Sequence, residues 1–132
     1  MKTTSFLLLR LAIGMSMFGH GLVRLPKLSG FSQWMAGAFK NSLLSEALVT
    51  PFSFVLPVAE FTIGLLLLLG LFTKQALIAG GAVMIVLIFG ATTIENWEIL
   101  PSQLLHAAFF AVLLQFLPSN SFAIDNLIKN KP

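Results

Sequence analysis

The chain has no cysteine and few charges: eight Lys and Arg and five Asp and Glu among 132 residues, 10% of the total. Without cysteine, disulfides, thiolate metal sites and thiol catalysis are excluded from its own side chains, so any redox chemistry would need a bound cofactor or a partner. Ordinary soluble domains carry about 25% charged residues. So little polar surface cannot hold a body of this size in water. Clusters of basic residues are missing too. The net charge of +3 and pI near 9.7 come from scattered cations, which excludes a nucleic-acid surface. GxGxxG, P-loop and HExxH patterns do not occur, so nothing indicates a nucleotide-binding or zinc-hydrolase site.

What is there is apolar sequence, 57% hydrophobic with a mean hydropathy of +0.92. Four runs emerge, at about residues 4–25, 51–72, 75–94 and 101–117. A helix needs about 20 apolar residues to cross a bilayer, and the fourth run is near the lower limit. The runs are continuous rather than alternating, so helices are expected and a barrel is not. The N-terminal run begins like a signal peptide, but Arg10 interrupts it and no small-x-small site follows, so it reads as a retained first helix. The expected fold is all-α: one integral membrane domain, a four-helix bundle, ending in a polar tail at 118–132.

The long connection between the first two runs predicts an amphipathic interfacial segment at about 29–48. Phe31, Trp34, Met35, Ala38 and Phe39 fall on one face, with Ser32, Gln33, Lys40 and Asn41 on the other. The second and third runs are separated by Thr73 and Lys74 alone, which makes them antiparallel neighbours. Gly80, Gly81 and Gly90 in the third run suit close helix packing. Four spans place both termini on one side. Lys2, Lys74, Lys129 and Lys131 there, against Arg24, Lys27 and Lys40 opposite, favour cytoplasmic termini.

Ionisable groups inside apolar runs mark functional positions by default. Taking about 1.5 Å per residue, Arg10 lies about 9 Å into the core, Glu60 about 16 Å, His106 about 22 Å and His20 about 24 Å. Two arrangements follow. In the first, Arg10 reaches Glu60 and the two form a structural ion pair. In the second, Glu60, His20 and His106, with Gln103 one turn from His106, line a polar pocket. A carboxylate and imidazoles there could handle protons at the oxygens of a quinone. Arg10, Gln103 and Trp34 are then secondary candidates for holding the cofactor. The two histidines and Glu60 lack tight ligand spacing, so no metal site is expected.

Arg10 and Gly14, His20-Gly21 with Arg24 and Leu25, Glu60 and Gly64, and the LLLLGLFTK run ending at Lys74 occur in an order that resembles the DoxX family of small four-span bacterial membrane proteins. Ala123-Ile124-Asp125 is similar to the Ser-Leu-Asp that follows the family's last helix. Three departures stand out: Lys74 where arginine is usual, Ala123 for serine, and Pro101-Ser102-Gln103 in place of Gly-x-Glu. The resemblance implies a four-helix bundle in the bacterial inner membrane. It also implies a membrane subunit or anchor of a quinone-linked oxidoreductase complex, contacting the lipid bilayer and another protein subunit, with a homo-oligomer as a further arrangement. The rival reading is a non-catalytic scaffold or assembly protein, and a small-solute transporter is a third.

Overall fold

The computed structural model describes residues 1–129. Among these described residues six helices form: α1 (Thr3–Arg24), α2 (Leu28–Ala38), α3 (Glu46–Leu69), α4 (Thr73–Thr93), α5 (Leu100–Gln115) and the short α6 (Ile124–Lys129). Two 3₁₀ turns, Leu25–Lys27 and Leu117–Ser119, join α1 to α2 and follow α5. Three stretches are long and apolar enough to cross a membrane, and α5 is a shorter apolar helix. Outward faces carry Leu8, Met15, Val55, Ile78, Ile85 and Phe89. Bare aliphatic faces of this kind belong in lipid, and the protein is a multi-pass membrane protein.

Helices α1 and α3 pack antiparallel. Gly14 lies against Leu67, Gly64 against Phe18, and Gly21 against Phe61, so positions rise along one helix as they fall along the other. A Cβ at Gly21 or Gly64 would run into the backbone of the facing helix. The missing side chains let the two backbones meet. Gly80 gives the same clearance to the Phe110 ring between α4 and α5. The main core forms around Phe6, Ile13, Met17, Leu67, Leu77, Phe110 and Leu113.

Helix α3 ends on Gly70, whose φ of +66° is left-handed, and Leu71 N–H donates to the Leu66 carbonyl at 2.9 Å. This is the usual glycine stop. Phe72, at φ +47°, is left-handed without being glycine. Asp125 holds it there: its carboxylate accepts from Phe72 N–H at 2.7 Å and Thr73 N–H at 2.8 Å, capping α4 from the tail. The tail, the N-terminus and the α3–α4 turn thus share one end of the bundle. The α1–α2 turn and the 94–99 connection share the other.

Several sequence expectations need correction. Helix α3 begins at Glu46, five residues before the expected boundary at Pro51, and carries both Pro51 and Pro57 inside it. Helix α5 ends at Gln115, and Leu117 opens the following 3₁₀ turn. The segment between α1 and α3 is an eleven-residue helix followed by a turn, and its faces are reassigned. Ser32, placed on the polar side, is buried and accepts a 2.7 Å hydrogen bond from Ser53. Trp34, on the apolar face with Phe31 and Met35, is 63% exposed and does not join their core. Met35 joins Val49 and Leu56 in a second small core, with Phe31 and Phe39 beside it. Of the tail, Lys131 lies outside the described residues.

Candidate functional site

A cavity of about 590 Å³ opens between α2 and the bundle. Aromatic and aliphatic walls come from Phe31, Trp34 and Met35 on α2, from Phe52 and Leu56 on α3, and from Met84 and Phe89 on α4. His20 and Arg24 of α1, Glu60 of α3, and Gln103 and His106 of α5 line it as well. Its volume falls in the range of about 300–1,000 Å³ typical of small-molecule sites.

These polar groups are ordered by one another. Glu60 is 2% exposed, and Arg24 Nη1 donates to both its oxygens, at 2.8 Å to Oε1 and 2.6 Å to Oε2. The Arg24 guanidinium also lies over the Phe31 ring, 4.7 Å from the centroid, a cation–π contact. Phe31 stacks on Trp34 at 5.8 Å between centroids. A continuous set of contacts therefore runs from mid-α3 to the exposed edge of α2.

His20 and His106 stack with ring centroids 6.3 Å apart. His106 Nδ1 is 2.8 Å from the Ser102 carbonyl, and Nε2 is 2.8 Å from Ser16 Oγ. A carbonyl only accepts, so Nδ1 carries the hydrogen; in the neutral ring, Nε2 accepts from the Ser16 hydroxyl. The His20 ring hydrogen-bonds to no described residue. The side chain of Gln103, a residue 8% exposed, also makes no hydrogen bond, and its carbonyl oxygen is buried and unpartnered. Leaving such a group unpaired costs about 1–3 kcal/mol. Among the described residues, no group of three or more His, Asp or Glu is placed to hold a metal ion.

The expected pair of Arg10 with Glu60 does not form. Arg10 is at the tail end of the bundle, 2% exposed, and its Nη1 donates to Asn120 Oδ1 at 2.5 Å while Nε has no partner. The α1–α3 register explains this. With Gly21 against Phe61, the residue one turn from Glu60 is Arg24, and Arg10 falls beside Gly70. Arg10 is also not among the residues lining the cavity, so its place as a cofactor contact is withdrawn. Trp34 does line the cavity, at its rim. Arg24 is the residue that sequence reasoning missed as a partner of Glu60. Its spacing of four from His20, which places both on one helix face, was the available signal.

Buried Glu60, its partner Arg24, His20 one turn before it, and the glycines that set their register lie wholly within a segment, residues 5–93, that matches the model of the DoxX family. The chain belongs to the DoxX family. In this DoxX protein the matched segment covers α1 to α4, while Gln103 and His106 come from α5 beyond it. No match was found among curated proteins or among solved structures.

Proposed function

We propose that this DoxX protein is a membrane subunit of a quinone-linked oxidoreductase complex in the bacterial inner membrane, with both termini cytoplasmic, and that the cavity between α2 and the bundle is its quinone site. One observation carries the reading: ionisable and amide side chains from three helices converge on a cavity whose other walls are aromatic and aliphatic. Amphiphilic ring molecules need this combination. The residues present fit such a ring, because Gln103 offers a buried oxygen with no partner and Phe31 and Trp34 offer flat apolar faces.

A quinone, when bound, supplies two-electron, two-proton redox chemistry. The chain has no cysteine, so in this reading its electrons come through a bound cofactor or a partner subunit. His20, whose ring nitrogens are free of protein partners, takes up or releases a proton at the cavity wall. His106, tied to Ser102 and Ser16, holds the second ring beside it. Glu60 balances the charge of Arg24, so the pair adds no net charge to the site.

Gentle detergent purification followed by mass spectrometry of co-purifying quinones, lipids and proteins tests this. A quinone and an electron-donating subunit are expected with the wild-type chain. Their absence, together with an unchanged quinone-linked activity in a Glu60→Gln strain, would replace this reading with the scaffold, in which the Arg24–Glu60 pair only locks α1 to α3.

A further inference from the structure

The groups around the cavity divide into those already committed to each other and those with nothing to bind. Both oxygens of Glu60 accept from Arg24, and both ring nitrogens of His106 have partners in Ser102 and Ser16. Trp34, Asn96 and Ser102 line the cavity without a side-chain hydrogen bond, as do Nε and Nη2 of Arg24, and two more such side chains flank His106. His20 has a ring donor and a ring acceptor without protein partners, and Gln103 has a side-chain amide that makes no hydrogen bond, its oxygen buried. The two are linked through His106, which stacks on His20 and lies three residues from Gln103 on α5. Rotating the terminal torsion of Gln103 turns either its N–H₂ or its oxygen toward a ligand, since this torsion is broad and nearly two-fold.

Charge narrows the ligand further. The lining contains one cation and one buried anion, and they are in contact at 2.6 Å. An anionic ligand would have to share the Arg24 guanidinium with the Glu60 carboxylate, and a cation would meet that guanidinium directly. We infer that His20 and Gln103 make the ligand's hydrogen bonds, and that the ligand is an uncharged ring bearing hydroxyl or carbonyl oxygen on an apolar body. This rests on the cavity's being a ligand site, as proposed above, but not on the ligand's being redox-active.

Three probes separate the possibilities: decyl-benzoquinone, 4-nonylphenol and decanoate. Each is titrated by calorimetry into the full chain in maltoside micelles, with micelles alone as the blank. Both neutral probes are expected to bind and decanoate is not. His20→Phe and Gln103→Leu are each expected to weaken the neutral probes about tenfold, the equivalent of one hydrogen bond. His20→Asn, which keeps a donor and an acceptor, should lose less than His20→Phe. Gln103→Met serves if the branched replacement does not fold. Binding of 4-nonylphenol without decyl-benzoquinone would remove the redox reading and leave this inference standing. The inference is overturned if neither neutral probe binds, if both variants bind them as the wild type does, or if decanoate binds as tightly as 4-nonylphenol.

Discussion

Arg24 holds both oxygens of Glu60 through a single guanidinium nitrogen, at 2.8 and 2.6 Å, and so joins the last turn of α1 to the middle of α3. The partners are unequally exposed: the Arg24 side chain is 27% accessible and that of Glu60 is 2%.

Removing one partner from a buried pair leaves an uncompensated charge. Arg24→Leu is therefore expected to destabilise the protein by about 3 kcal/mol, because the stranded carboxylate has no route to solvent. Glu60→Leu should cost less, since Arg24 can turn outward. The double replacement should recover most of the loss. Unfolding titrations of the three variants in mixed micelles give the coupling energy, and a value near zero would refute the pairing.

Close approach of α1 and α3 depends on Gly21 and Gly64. Alanine at either is expected to cost about 1–3 kcal/mol, the usual penalty for overpacking, because its methyl meets facing backbone rather than a movable side-chain tip. Gly19→Ala is the control. It has open space and should be neutral or slightly stabilising by helix propensity. Melting temperatures of the three variants check the ranking.

The Asp125 cap on α4 is expected to protect the amides of Phe72 and Thr73. Asp125→Ala should cost about 1 kcal/mol, as other lost helix caps do, and should speed hydrogen exchange at residues 72–73 while leaving the middle of α4 unchanged. Equal exchange in both proteins would show that the tail does not hold the turn.

His106 is expected to be the Nδ1–H tautomer when neutral. Nitrogen NMR of labelled histidine should give a protonated Nδ1 and an unprotonated Nε2. Ser16→Ala should shift Nε2 and leave Nδ1 nearly unmoved, since the Ser102 carbonyl stays in place. The opposite tautomer would reverse the assigned direction of the Ser16 bond.

Much of the fold could be read from the sequence because lipid imposes a simple requirement: long apolar runs become helices, and short links make antiparallel neighbours. The short connection before α4 was visible on those grounds, although it falls at residues 70–72 and the expected link of Thr73 and Lys74 opens α4. The similar depths assigned to His20 and His106 agree with their stacked rings. Register could not be read. Depth arithmetic assigns heights and no azimuths, so it offered Arg10 as the partner of Glu60 and passed over Arg24, which was counted only among the cations on the side opposite the termini. The choice was made by Gly14, Gly21 and Gly64, whose packing is set by facing backbone. Helix α2 was misassigned for a related reason. Its buried stripe includes Ser32, and a serine bonded to another serine across a helix pair has no signature in a hydrophobic pattern.

The bond between Arg10 and Asn120 spans 110 positions of the chain. During synthesis, a guanidinium that enters the bilayer with the first helix must wait for an acceptor that emerges only after the last. A chain cut short of Asn120 has all its membrane helices and still lacks that acceptor. The first helix is thus electrically satisfied only when residue 120 has joined the bundle.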